Sequence, residues 1–180
     1  MEQQIDYCQH NFPPEQPFTL LYLESSAKHG VEKKKKKLSD TFDNFYYIGH
    51  NNSLLPFLTI EENMMLGVHK KELTGYQQKL KQWGHYFKLK STLSSLRPDS
   101  ITAETCMLIH LVRAFSLERE LVFIDEIALG LSHDFVDTLI PTLINLAHDQ
   151  QLSIIFVTNR MELIEKYPQQ GIILDDKHSL

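Results

Sequence analysis

The residues best placed to do chemistry are Asp125 and Glu126, adjacent carboxylates directly after the apolar run Leu121-Val122-Phe123-Ile124. Such a run reads as a central parallel strand buried on both faces. A strand of that kind delivers its last residues to the carboxyl edge of the sheet, where α/β proteins bind ligands. An aspartate there can hold Mg²⁺ through water while the neighbouring acid polarises an attacking water. Two acids that only cap the turn after a strand make the same pattern, and the pair alone does not separate the two readings. Other chemistry finds little footing. The histidines His10, His69, His85, His110, His133, His148 and His178 show no H-x-x-x-H or comparable spacing, so no metal site is expected. Cys8 and Cys106 lack metal-ligand spacing and are too few for a disulfide framework. No nucleophile-elbow pattern is present.

The elements that must position the two carboxylates follow from apolar period and breakers. Phe18 to Leu23 is a short apolar run bounded by Pro17 and by Glu24-Ser25-Ser26, and reads as a buried strand. The five consecutive lysines Lys33 to Lys37 read as a solvated face or loop, with a phosphate or lipid-headgroup patch as the other reading. Phe45 to Ile48 is a second strand. Leu54 to Glu62 reads as a loop running into a helix, with Thr59 and Glu62 spaced as a capping box. Residues 69–96 are helical in pattern, with Tyr76, Leu80, Trp83 and Phe87 on one stripe. Thr102 to Phe115 repeats with helical period, and so does Phe135 to Ala147, where Pro141 predicts a kink. Ile154 to Val157 and Gly171 to Leu174 complete the strands. Strands alternating with helices predict a parallel α/β sheet.

At 180 residues, with 42% hydrophobic and 23% charged residues, the chain has the composition of one globular domain. Its net charge of −5 argues against general nucleic-acid binding, which draws its affinity from neutralising phosphates. The polar, acidic stretch Met1 to Asn11 does not read as a secretion signal. No apolar run approaches the roughly 20 residues needed to span a bilayer. A soluble cytoplasmic domain is the expectation.

From about Phe18 to Leu174 the order of these segments resembles the ATP-binding cassette (ABC) ATPases. Tyr46 to Asn63 is similar to that family's glutamine-loop region. Within it, the run Leu54-Leu55-Pro56-Phe57-Leu58-Thr59-Ile60-Glu61-Glu62-Asn63 is closest to cassettes of the lipoprotein-release and macrolide-export type. Leu111-Val112-Arg113-Ala114-Phe115 resembles the helix after the family signature. Leu121 to Glu126 looks like the Walker B strand with its catalytic glutamate, Gly130-Leu131 like the D-loop, and Ile154 to Thr158 like the strand leading to the histidine switch. The resemblance implies a P-loop NTPase-like parallel sheet flanked by helices, with a helical subdomain over about residues 59–116. It also implies a reduced β-subdomain, because the stretch from Val31 to His50 is about half the family's length.

The nucleotide contacts depart from the family's pattern in parallel. The phosphate loop falls at Glu24-Ser25-Ser26-Ala27-Lys28-His29-Gly30-Val31. There Glu24 and His29 replace the glycines whose amides close on the phosphates, Gly30 replaces the lysine and Val31 the Mg²⁺-ligating hydroxyl. Lys28 supplies charge but no amide cradle. His50 stands at the glutamine position. Ile101-Thr102-Ala103-Glu104-Thr105 replaces the glycine-bearing signature, Ser132 the D-loop aspartate and Asn159 the switch histidine. Asp125 and Glu126 keep the family's residue types and read as vestiges of the Walker B pair.

The resemblance therefore implies a degenerate cassette that binds neither ATP nor Mg²⁺. Its expected role is a non-catalytic subunit, peripheral on the cytoplasmic face of a membrane, whose partner is a permease, a second ABC ATPase subunit, or both. Contact with the permease is expected through Leu54, Leu55, Phe57 and Leu58. Two rival readings stand beside it. One is a divergent working ATPase that uses Asp125, Glu126 and Mg-ATP. The other is a soluble regulator that uses the fold for protein contacts alone.

Overall fold

A computed structural model describes residues 16–23, 44–49 and 54–174 of the chain. The strands are β1 (Phe18–Leu23), β2 (Phe45–Ile48), β3 (Leu121–Asp125), β4 (Ser153–Thr158) and β5 (Gly171–Leu174). They form one sheet in the order β2-β3-β4-β1-β5, with every pair parallel. The helices are α1 (Ile60–Met65), α2 (Leu73–Tyr86), α3 (Ala103–Ser116), α4 (His133–Gln150) and α5 (Met161–Lys166), with 3₁₀ turns at Ser91–Ser95, Pro98–Ser100 and Glu126–Ala128. The α/β parallel sheet expected from the sequence is thus observed, with each strand where its apolar run lies.

Strand side chains alternate between the two faces, and the core divides accordingly. Leu20, Ile48, Ile124 and Phe156 point to the face on which α3, α4 and α5 pack through Leu111, Leu143 and Ile164. Leu21, Tyr47, Phe123 and Val157 are buried on the opposite face. Both faces being apolar explains why the central strands read as unbroken apolar runs rather than alternating ones.

The helices differ from their sequence outlines in instructive ways. Thr59 caps α1 as expected: its hydroxyl accepts from the Glu62 amide at 3.2 Å, and the Glu62 carboxylate accepts from the Thr59 amide at 2.7 Å. The helical pattern over 69–96 is interrupted. α2 ends at Tyr86, where Lys88 takes a left-handed φ of 55°, and the chain continues through 3₁₀ turns. Tyr76 in α2 is buried, and Trp83 in α2 and Phe87 just after it pack on the core beside Phe115, so the stripe holds even where the helix does not. α4 passes through Pro141 as one helix of 18 residues.

The strand order places a reversal of connection direction between β4 and β1. From β1 the chain proceeds to β2 at one edge of the sheet, and from β4 it steps the other way, past β1, to β5. Adjacent strands whose connections run in opposite directions mark the general ligand position of open α/β sheets, outside their carboxyl ends. Asp125 lies level with Val157, so β3 and β4 deliver Asp125, Glu126 and Thr158 to that edge together.

Candidate functional site

Asp125 ends β3 and is nearly buried. Its Oδ2 accepts from the Tyr47 hydroxyl at 3.1 Å, and its Oδ1 accepts from the Ala128 amide at 3.3 Å, capping the 3₁₀ turn. The Tyr47 ring stacks on Phe123 with centroids 6.0 Å apart. Gly49 makes room for it, since a Cβ there would collide with the tyrosine hydroxyl. Glu126, only 3% exposed, is held on both oxygens: Oε2 accepts from the Thr158 hydroxyl at 2.9 Å, and Oε1 pairs with Arg160 at 2.6 Å. Arg160 also donates to the Leu131 carbonyl at 2.6 Å. Burial pushes the Glu126 carboxyl above the usual carboxylate range, while the Thr158 hydrogen bond and the Arg160 charge pull the other way.

The residues at 101–105 serve the start of α3. Thr102 is its N-cap and accepts from the Thr105 amide at 3.2 Å. The Glu104 carboxyl is held below its usual range by its own backbone amide, then by the Thr102 hydroxyl, with Ser132 contributing through side chain and backbone. Ser132 is the residue before α4, and Gly130 ahead of it has a φ of 63°, a conformation that favours glycine. Ile101 packs against the small cluster of Leu54, Ile60 and Ile109. Asn159 is exposed just beyond β4.

Around α1 the chain presents a second feature. Asn63 is buried, and its side chain clamps the preceding loop. Its Oδ1 accepts from the Leu55 amide at 2.7 Å, and its Nδ2 donates to the carbonyls of Leu55, Leu58 and Thr59 at 3.1, 3.3 and 2.9 Å. The clamped loop holds Phe57 67% exposed. Leu55, Leu66 and Leu96 are also exposed, and each adjoins α1: Leu55 in the loop, Leu66 at its C-terminal cap, Leu96 through a carbonyl that accepts from the Ile60 amide at 2.9 Å. Beside them an open groove of about 560 Å³ runs between α1, α2 and the Ser91–Ser95 turn.

The sequence matches no protein-family model and no curated protein. Solved structures do match. CbiO1 from Clostridium perfringens, part of the ABC transporter complex cbiONQ, aligns with a TM-score of 0.63 at 10% identity, covering 84% of this chain and 71% of that one. The ATP-binding subunit of an ABC transporter aligns at 0.63 with 21% identity, covering 88% and 75%. The ATP-binding cassette MJ0796, a dimer in a post-hydrolysis state bound to ADP and Pi, aligns at 0.60 with 12% identity, covering 83% and 78%. The fold is that of an ABC ATPase cassette.

Placed on the cassette, the sequence landmarks fall into three groups. Asp125, Glu126 and the switch region at Thr158–Arg160 meet at one edge. Ser132, at the D-loop position, is two residues from Gly130 and adjoins Leu131, whose carbonyl accepts from Arg160, while residues 101–105 at the signature position serve the start of α3. The phosphate-loop position with Glu24, Lys28, His29, Gly30 and Val31, the glutamine position His50 and the lysines 33–37 lie outside the described residues. Among the described residues no group of three or more His, Cys, Asp or Glu could hold a metal.

Two corrections concern individual residues. Leu54, expected at the contact surface, is 7% exposed and packs with Ile60 and Ile109; it is core, because the loop turns outward only after it. Leu58 is half-buried, which leaves Leu55 and Phe57 as the exposed pair of the four. Arg160 and Tyr47 went unnoticed in the sequence. An arginine two residues past a strand end and a tyrosine inside one carry no motif, and only strand order brings them to Glu126 and Asp125.

Proposed function

We propose that this cassette is a non-catalytic subunit of a membrane-associated ABC transporter assembly, attached to a permease through the face around α1. One observation carries the reading: both oxygens of Glu126 are committed to partners inside the chain, Thr158 and Arg160. A glutamate that polarises water must present a free oxygen to solvent at the moment of reaction. Here that oxygen sits in a buried ion pair, and breaking such a pair leaves an uncompensated charge. Asp125 supports the same reading, since its carboxylate caps a turn and accepts a tyrosine hydroxyl instead of standing open to a hydrated Mg²⁺. The fold neighbours include a cassette from a transporter complex and one seen as a dimer, which suits a permease or a second ATPase subunit as partner. Among the described residues no helix is long and apolar enough to cross a membrane; the attachment proposed runs through protein contacts. The exposed apolar residues gathered at α1 supply a surface for them.

The deciding measurement is calorimetric titration of the whole chain with Mg-ATP. No binding is expected at millimolar nucleotide. A dissociation constant below about 100 μM, roughly −5.5 kcal/mol, would overturn the proposal and favour a working ATPase in which Arg160 releases Glu126.

A further inference from the structure

Charge is divided along the chain. Residues 69–97 carry seven Lys and Arg against one acid, Glu72, whereas residues 118–174 carry three against nine. Between Glu72 and Asp99 stand 26 residues with no Asp or Glu, in a chain where 23 of 180 residues are acidic. The basic stretch is surface. Lys70, Lys71, Lys81, Lys88 and Lys90 are exposed, and among the described residues one of the seven cations, Lys79, is in an ion pair, with Glu118. α2 also forgoes pairs of its own. A surface helix gains from a Glu four residues before a Lys, yet the residues four and three before Lys81 are Gln77 and Gln78, both exposed. A face that needs only solubility intersperses the two signs; this one holds its cations free. Tyr86, 47% exposed at the end of α2, sets a ring and hydroxyl beside them, packed against Trp83 and Phe87.

We infer that the outer face of α2, with the segment that follows it to Arg97, binds the surface of a bilayer rich in anionic lipid. Its cations would lie among the headgroup phosphates, and the Tyr86 ring at headgroup level, where tyrosines concentrate. A plane of negative charge attracts the basic pole and repels the acidic one, so it orients the molecule as well as holding it. A nucleic acid fits less well. Its affinity grows with the number of phosphates neutralised, and outside this one stretch the chain is strongly acidic. Lys81 and Lys90 border the same groove as Glu61, Met64 and Met65 of α1, so the basic face continues from the α1 side. A chain held on a membrane protein through α1 would present α2 to the lipid beside it. The inference does not depend on that attachment, because lipid binding is measured without a permease.

The test is flotation of the full chain with vesicles of phosphatidylcholine alone or with about one third phosphatidylglycerol. At about 0.1 M salt, partition onto the anionic vesicles is expected to be at least roughly tenfold stronger, and to be lost at about 1 M, where the Debye length falls to about 3 Å. Lys81→Gln/Lys88→Gln/Lys90→Gln should abolish the preference. Asn145→Asp/Gln150→Glu/Gln169→Glu makes the same change of net charge at exposed positions of the acidic pole and should keep it. All six positions are exposed, so both variants should melt with wild type. Equal partition onto the two kinds of vesicle, retention by the lysine variant, or equal loss in the two charge-matched variants overturns the inference. So does binding of a random-sequence RNA oligonucleotide that the lysine variant abolishes while anionic vesicles leave wild type in solution, since the cations would then serve a nucleic acid. Vesicle binding by a chain that captures no permease from solubilised membranes supports this face and removes the transporter reading.

Discussion

His110 shows at the scale of one residue how burial sets chemistry here. It sits in α3 facing the sheet, nearly inaccessible, with Nδ1 3.2 Å from the Tyr46 hydroxyl. Burial lowers its pKa to about 4, and the nearby Arg113 charge adds to the effect. In the unfolded chain an imidazole takes its proton near 6.5. The native state therefore forgoes a proton that the unfolded chain accepts, and the stability from neutral His110, whole above about pH 6.5, is lost as pH falls toward 4. The loss is about 1.4 kcal/mol per pH unit and roughly 3 kcal/mol in all. Urea unfolding of wild type and His110→Phe at pH 4 to 7.5 should show the wild type losing stability faster by that slope; parallel curves would mean that the histidine does not titrate as its burial requires. Glu126 is the mirror case, a buried acid whose pKa burial raises while Thr158 and Arg160 pull it back down.

Between α1 and the loop before it, one side chain sets the shape of an element. The Thr59–Glu62 capping box was legible in sequence, because two residues three apart satisfy each other locally. The clamp made by Asn63 was not legible. Asn63 bonds groups five and eight residues back, at Leu58 and Leu55, and that pattern exists only once the loop has turned. Asn63→Leu keeps volume and removes every one of these bonds, leaving the Leu55 amide without its partner. A group so stranded costs up to about 1–3 kcal/mol, the full amount only where water cannot reach it, and for a chain of this size about 2–4 °C of melting temperature follows each kcal/mol. Calorimetry should show a drop of about 2–12 °C, with faster hydrogen exchange at the Leu55 amide. A variant that melts with wild type would mean that the loop holds its shape without the clamp. The break in the helical pattern after Tyr86 belongs to this scale too: the apolar stripe continued to Phe87, and the left-handed Lys88 that ends the helix had no glycine to announce it.

For the molecule as a whole, the proposal is tested best where surface and core separate. Phe57 is largely exposed on a loop fixed from behind, so Phe57→Asp should change stability by no more than about 0.5 kcal/mol. Within an apolar interface the same charge loses hydration without gaining a partner, at several kcal/mol. Wild-type protein is expected to co-purify with solubilised membranes and Phe57→Asp to be released with an unchanged melting temperature. Retention of the folded variant would remove Phe57 from the contact, and a wild-type protein absent from membranes would remove the transporter itself. Leu54→Asp serves poorly, because Leu54 belongs to the core and its loss would imitate release. The sequence by itself determined the parallel α/β sheet, the strands and the carboxylates at the end of β3. Apolar runs and breakers act over a few residues, and backbone hydrogen bonding leaves few alternatives. Strand order, the arginine set on Glu126, the tyrosine set on Asp125 and the division of Leu54 from Phe57 were decided only by tertiary structure. Each joins residues far apart in the chain or turns on which way a side chain faces once the loop has closed. An ion pair between Glu126 and Arg160 spans a whole helix and strand, and no local preference records it.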